Sequence, residues 1–248
     1  VTVDKSGNRV QQMFAEIAPK YDLMNHLLSL NVDKWWRSRT VNRLAPTSNH
    51  RVLDVCTGTG DLAIAMWQRM LKSQGNGVES EQNPGFEVIA SDFCRPMLEI
   101  GVKKAEKLKC DRLQFVEADS MQLPFGDNQF DLVTVAFGLR NVSKTEVGLS
   151  EMVRVCSSGG RIGILEFTMP RIWPLSSLYR FYFLKVLPKV GQWFAKNRSD
   201  AYSYLPESVG EFPQYEVLAE MMRISGMKDI QFYPMTVGLA TLYVGTKV

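Results

Sequence analysis

Residues 51–63, RVLDVCTGTGDLA, limit the choice of fold more than any other stretch. RVLDV is a β-branched run, and LAIAMWQRMLK after the glycines carries apolar residues at helical spacing. A strand that turns through glycines into a helix opens a β-α-β unit. Gly58 and Gly60 let the backbone turn tightly and bring its N–H groups close to a ligand. The letters GTGDLA satisfy the G-x-G-x-x-A form of a dinucleotide fingerprint, a pattern shared by glycine turns that hold no ligand.

The acids around the turn discriminate between ligands. Asp54 precedes the glycines at the strand end, where a carboxylate would face a pyrophosphate with like charge. No lysine follows the glycines, as a phosphate-binding NTPase loop requires. A cationic ligand suits the position instead. Asp92 ends a second strand, FEVIASD (86–92), where a carboxylate accepts two ribose hydroxyls. Asp119 and Ser120 close a third, LQFVEAD (113–119), placed to read an adenine amine. Taken singly, each acid is better explained as a helix N-cap or a turn residue. Together they outline a pocket for an amine, a ribose and an adenine with no phosphate, which are the parts of S-adenosyl-L-methionine.

The alternation continues along the chain. PMLEIGVKKAEKL (96–108) reads as an amphipathic helix, FDLVTVAFG (130–138) as a fourth strand, KTEVGLSEMVRVC (144–156) as a helix and GGRIGILEF (159–167) as a fifth strand. This order predicts a parallel sheet covered by helices on both faces. VLAEMMRISG (217–226) is a last helix, followed by the strands MKDIQFY (227–233) and TLYVGTKV (241–248). Too few residues separate these two for a parallel crossover, so they pair antiparallel and the sheet is mixed, with a reversed edge strand. The polar stretch KSQGNGVESEQNPG (72–85) reads as a surface loop.

With 248 residues and a net charge of +3, the chain has material for one large core and lacks the basic field of a nucleic-acid binder. No apolar run reaches membrane-span length. The opening VTVDKSGNRV has neither the apolar core of a secretory signal nor the Arg and Ser of a transit peptide. Cys56, Cys94, Cys110 and Cys156 are scattered and only two histidines are present, so no metal site and no two-histidine mechanism is expected. The cysteines read as small buried hydrophobes in a reducing compartment.

Further blocks carry a resemblance. FAEIAPKYDLMNHLLSLNVDKWWR (14–37), FGLRNV (137–142), LEFTMP (165–170), SYLPES (203–208) and EFP (211–213) all contribute. With them the chain resembles, from about Val10 to Val248, the ubiquinone/menaquinone biosynthesis C-methyltransferases. The resemblance implies a single α/β domain over 1–248 with the class I S-adenosylmethionine-dependent methyltransferase (Rossmann-like) fold. That fold has a seven-stranded mixed sheet with one antiparallel edge strand, an N-terminal helical cap (1–46) and a helical insertion or lid (171–208). It implies cofactor binding by Thr59, Asp92, Asp119 and Ser120, with Asp54, Gly58 and Gly60 shaping the methionine end. It also implies C-methylation of a polyprenylated quinol, demethylmenaquinol in preference to a benzoquinol. The implied setting is cytoplasmic and peripheral to the inner membrane, as a homodimer or within a quinone-biosynthesis complex. Three positions depart from the family pattern. Its histidine before the tryptophans is Asp33, and its Lys-Pro-Gly-Gly turn is Ser157–Gly160. A fourth-strand serine is Ala136, which takes one hydroxyl away from the cofactor.

A quinol ring carbon becomes nucleophilic when the neighbouring hydroxyl ionises. Arg140, following the fourth strand, is expected at the cleft, holding the developing oxyanion or orienting a water that takes the proton, with Asn141 donating a hydrogen bond. The competing explanation of Arg140 is an ion pair with a nearby acid. Glu166, Tyr202 and Tyr204 are weaker candidates for base or ring positioning, equally explained as buried hydrogen-bonding residues, and His26 as a surface residue. Residues 171–198 hold six basic and seven aromatic residues and no acid, as on a surface that meets an anionic bilayer, or in an insertion that packs on the sheet or at a dimer interface. Two other classes fit less well. An NAD-dependent oxidoreductase would need a Tyr-Lys or His pair near the fourth strand. A non-catalytic quinone-binding subunit would have no use for the pocket acids.

Overall fold

The computed structural model describes residues 4–29, 31–74, 87–173, 177 and 201–248. Three helices come first, α1 (Gly7–Ile17), α2 (Tyr21–Leu28) and α3 (Val32–Leu44). The alternating body follows as β1 (Arg51–Val55), α4 (Asp61–Gln74), β2 (Glu87–Asp92), α5 (Arg95–Leu108), β3 (Leu113–Glu117), β4 (Phe130–Ala136), α6 (Thr145–Val155) and β5 (Cys156–Phe167). The described chain ends with α7 (Ala201–Glu211), α8 (Glu216–Ile224), β6 (Met227–Met235) and β7 (Ala240–Lys247).

The strands form one sheet in the order β3-β2-β1-β4-β5-β7-β6. From β3 to β5 all pairs are parallel, and β7 runs antiparallel to both β5 and β6. The expected single reversed strand is therefore present, but it lies one place in from the edge, and β6 takes the edge. The crossover through α7 and α8 brings β6 back in the direction of β5 and leaves a gap one strand wide. The tight turn at Thr236–Gly238 then folds β7 into that gap.

Side-chain alternation along the strands divides the core in two. Leu53, Val55, Val133, Val135, Ile162 and Ile164 face α6 and α8, meeting Leu149, Met152, Leu218 and Met222. Val52, Val88, Ala90 and Leu132 face the other way, against Leu44 of α3 and Met66, Trp67 and Met70 of α4. Cys94, Cys110 and Cys156 are buried as expected, while Cys56 is only partly buried.

Boundaries differ from expectation where local context decides. β5 starts at Cys156 directly from α6, because the Ser157–Gly160 turn is absorbed as an irregularity opposite Phe130 and Leu132. Lys72, Ser73 and Gln74 prolong α4 instead of opening a loop, and residues 75–85 of that expected loop lie outside the described residues. Most of the basic-aromatic stretch, 174–176 and 178–198, also lies outside them. Asp33, the departure from the family pattern, joins α2 to α3. Its carboxylate accepts from His26 Nδ1 (2.8 Å), Ser29 Oγ (2.7 Å) and Arg37 (2.6 Å). Burial would raise this carboxyl, but Ser29 and Arg37 hold it below the ordinary range. His26 is thereby half-buried and paired, contrary to the surface position expected of it.

Candidate active site

In an open parallel sheet, ligands collect where the strand order reverses, here at the carboxyl ends of β1 and its neighbours β2 and β4. A cavity of about 750 Å³, its solvent-open mouth included, occupies that place. Its polar wall includes Thr57, Gly58, Asp92, Asp119, Ser120 and Asn141. The apolar wall includes Phe14 and Tyr21 from the N-terminal helices, and Phe93, Met97 and Phe137 from the sheet side. Side chains of α1 and α2 thus form one wall of the cavity.

The turn after β1 is built from left-handed backbone, with φ of 51° at Cys56, 58° at Gly58 and 79° at Gly60. Only the glycines hold such angles without side-chain strain. The Gly58 amide donates to Asp92 Oδ2 at 2.8 Å, and Asp92 Oδ1 accepts the Cys94 amide at 2.8 Å. This pairing decides which ligand the turn can take. The Gly58 N–H that would cradle a phosphate already holds a carboxylate, and a pyrophosphate there would meet Asp92 at close range. Burial raises the Asp92 carboxyl, and the two backbone donors oppose that rise.

Four expected site residues lie behind the cavity wall instead of on it. Asp54 is buried, accepting Thr57 Oγ1 at 2.6 Å and Thr134 Oγ1 at 2.7 Å. Burial pushes it up to about 6, and its carboxyl is turned to Thr57 and Thr134, shaping the turn from behind the cavity wall. It is Asp92, not Asp54, whose carboxyl lies on the cavity wall beside the turn. Thr59 points away, donating to Asp22 Oδ1 of α2 at 2.6 Å and accepting from Lys104 Nζ of α5 at 2.9 Å. Gly60 packs against Phe115, where an added Cβ would lie 2.8 Å from the ring.

Arg140 is the fourth. It is 6 % exposed and forms an ion pair with Glu166 at 3.0 Å, while its backbone N–H donates to the same carboxylate at 3.1 Å. Its guanidinium also bonds the Phe137 carbonyl and lies over the Phe167 ring. The ion-pair explanation thus describes its contacts, and Glu166, fully buried in that pair, is no free base. Asn141, in contrast, lines the cavity. Its Nδ2 faces the Phe137 carbonyl at 3.5 Å, and its buried Oδ1 has no partner. Tyr204 is buried against Val10 and Met13, its hydroxyl also without a partner, while the side chain of Tyr202 lies outside the described residues.

The sequence reading missed Phe14, Tyr21 and Phe137 as individual wall residues. Phe137 has φ of 58°, unusual for an aromatic, and its N–H is held by the Leu165 carbonyl at 2.7 Å. No local sequence signal announces a phenylalanine in that conformation.

This fold, with a carboxylate-held glycine turn at its switch point, defines a class I S-adenosylmethionine-dependent methyltransferase. Solved structures share the architecture. A methyltransferase from Aquifex aeolicus superposes with a TM-score of 0.56 at 16% identity, covering 86% of this chain and 89% of that one. Another from Thermotoga maritima gives 0.66 at 16% identity, covering 96% and 99%. Within the class, the chain belongs to the ubiE/COQ5 methyltransferase family, whose sequence model matches residues 2–247. It is 43% identical to the ubiquinone/menaquinone biosynthesis C-methyltransferase UbiE of Citrifermentans bemidjiense over 99% of both chains. It is 44% identical to the demethylmenaquinone methyltransferase of Thermus thermophilus, covering 95% of this chain and 100% of that one. The oxidoreductase alternative has no support in these matches.

The cavity fits the cofactor of this class. Its polar wall carries acids and hydroxyls for an amine and a ribose, and Asn141 Oδ1 offers a buried acceptor. No described helix is long and apolar enough to cross a membrane.

Proposed function

We propose that the chain methylates a ring carbon of a polyprenylated quinol, with demethylmenaquinol the preferred acceptor. Support comes from the near-full-length similarity to enzymes of that name. The observation that carries the reading is the pairing of Gly58 with Asp92 beneath an aromatic roof. It makes a site for a cationic donor on one side and a flat ring on the other.

Asp92 would hold the ribose hydroxyls, Asp119 and Ser120 the adenine, and the Gly58 turn the methionine end. The bound cofactor supplies an electrophilic methyl group on a sulfonium. Phe14, Tyr21, Phe93 and Phe137 exclude water from the reacting pair. This favours a step in which opposite charges disappear, and alignment lowers the barrier further. Asn141 would orient the quinol through its unpartnered Oδ1. Arg140 acts at one remove, holding the Phe137–Asn141 turn and lending positive potential where the ring oxygen becomes negative. The prenyl tail would leave the mouth toward a bilayer, and contact of the 171–198 stretch with anionic lipid is part of the same proposal.

The test is direct. Purified protein with methyl-labelled cofactor should label a short-chain demethylmenaquinol on carbon, seen as one added methyl by mass spectrometry, and a demethoxylated or demethylated benzoquinol more slowly. Labelling of neither quinol, or tight NADH binding with no cofactor binding by calorimetry, would refute the proposal.

A further inference from the structure

A second concavity of about 970 Å³, its open mouth included, runs between α3 and α4 and shares no lining residue with the cofactor cavity. Its apolar lining, Val41 and Ala65, belongs to the core that the two helices share. Four cations line it, Lys34 and Arg37 from α3 and Arg69 and Lys72 from α4, against one carboxylate, Asp61. His26 borders it as well, held by Asp33. A surface helix commonly offsets a cation with an acid three or four residues away. Here the sequence supplies too few acids to do so.

Each of the two helices carries a single acid, Asp33 in α3 and Asp61 in α4, both in the first turn, where they suit the helix dipole. Both acids are already occupied. Asp33 accepts from Arg37 at 2.6 Å and from His26 at 2.8 Å. Asp61 lies 3.2 Å from Arg37 and 2.6 Å from Lys104 of α5. Arg37 is therefore compensated from two sides, and neither helix has a carboxylate left for Lys34, Arg69 or Lys72. Among the described residues, none of these three exposed side chains is in an ion pair. A cleft lined by one sign of charge, with no counter-ion of its own, concentrates anions from solution.

We propose that the groove between α3 and α4 binds an anion bearing more than one phosphate group. Arg37 sits beside Asp61 at the start of α4, with Lys34 a turn before it on α3, whereas Arg69 stands about 12 Å further along α4 and Lys72 beyond it. A single phosphate cannot engage both ends at once. Between them Ser38, Asn42 and Gln68 offer hydroxyl and amide donors to phosphate oxygens. Among the described residues no aromatic side chain lines the groove, so it has no platform on which a nucleotide base could stack. The recognised part is the phosphates themselves, those of a free polyphosphate chain or of adjacent lipid headgroups. This site is independent of the quinol reading.

Calorimetry with inorganic tripolyphosphate tests this on the whole chain. The wild type should bind it, more weakly as salt is added. The triple variant Lys34→Gln, Arg69→Gln, Lys72→Gln should bind it about tenfold more weakly or worse. Asn42→Glu, which sets a carboxylate among the cations, should do the same. In both variants the melting temperature and the affinity for S-adenosyl-L-methionine should match the wild type. Sedimentation with vesicles of equal parts phosphatidylglycerol and phosphatidylcholine tells the two sources apart. If the variants lose it, the phosphates are those of lipid headgroups; if it is absent or untouched by the substitutions, the ligand is a soluble polyphosphate. A wild type that fails to bind tripolyphosphate, or binding that either variant keeps, would overturn the proposal.

Discussion

Burial pushes the Asp54 carboxyl from 3.8 up to about 6, and this couples folding to pH. The folded state binds the proton more tightly than the unfolded chain. The resulting stabilisation is complete below 3.8 and is lost as pH rises through about 6. Asp54→Asn should therefore remove that part of the pH dependence and, at neutral pH, melt higher than the wild type in ligand-free thermal scans. A wild type that gains stability relative to the variant as pH rises through this window would contradict the assignment. Arg140 makes the opposite case. Truncating it leaves the Glu166 carboxylate buried and uncompensated, and Arg140→Ala should lose about 3–5 kcal/mol in urea denaturation. Replacing both partners, Arg140→Met with Glu166→Leu, should recover most of that stability. Turnover that stays low in the double variant would show that the guanidinium also acts on the reaction, whereas full recovery would make it structural.

Between β4 and the turn after β1 the elements approach so closely that one position admits no side chain. A Cβ on Gly138 would lie 2.4 Å from Cys56 Cβ, with Cys56 itself held at φ of 51°. Gly138→Ala must push the two turns apart, at a cost of about 1–3 kcal/mol. Because both turns line the cavity, cofactor affinity should fall along with stability, which calorimetry and denaturation can read on the same sample. The elements themselves were legible in the sequence because they rest on periodicity. Strands buried on both faces read as short apolar runs, and the acids that end them marked Asp92, Asp119 and Ser120 as wall residues. Side-chain direction behind the turn was not legible. Asp54, Thr59 and Gly60 sit in the same motif, and whether a side chain faces ligand or core depends on partners far along the chain. Thr134 takes Asp54, Asp22 and Lys104 take Thr59, and Phe115 fills the space beside Gly60. The reversed strand was predicted from a short connection, but its place within the sheet depends on the longer crossover before it.

One ammonium ties α2 to both α4 and the glycine turn, beside the Thr59–Asp22 bond and the Arg37–Asp61 ion pair. Lys104 Nζ lies 2.7 Å from Asp22 of α2, 2.6 Å from Asp61 at the start of α4 and 2.9 Å from Thr59 of the glycine turn. Lys104→Met leaves Asp22 without its ammonium while Asp61 keeps Arg37, so the α2 part of the cap should loosen. Limited proteolysis should then cut residues 4–28 faster, and the KM for cofactor should rise about tenfold with a smaller change in kcat. Saturating cofactor should slow the cleavage. Unaltered proteolysis and KM would show that apolar packing alone seats the cap.

The position of β7 has a consequence for biosynthesis. Residues 240–247 fill an interior slot between β5 and β6, yet they are the last of the seven strands to leave the ribosome. Until they emerge, β5 carries an unpaired edge that other nascent chains can join. The fold is therefore completed only after translation has passed Lys247, and a ribosome stalled short of that point holds a sheet missing an inner strand.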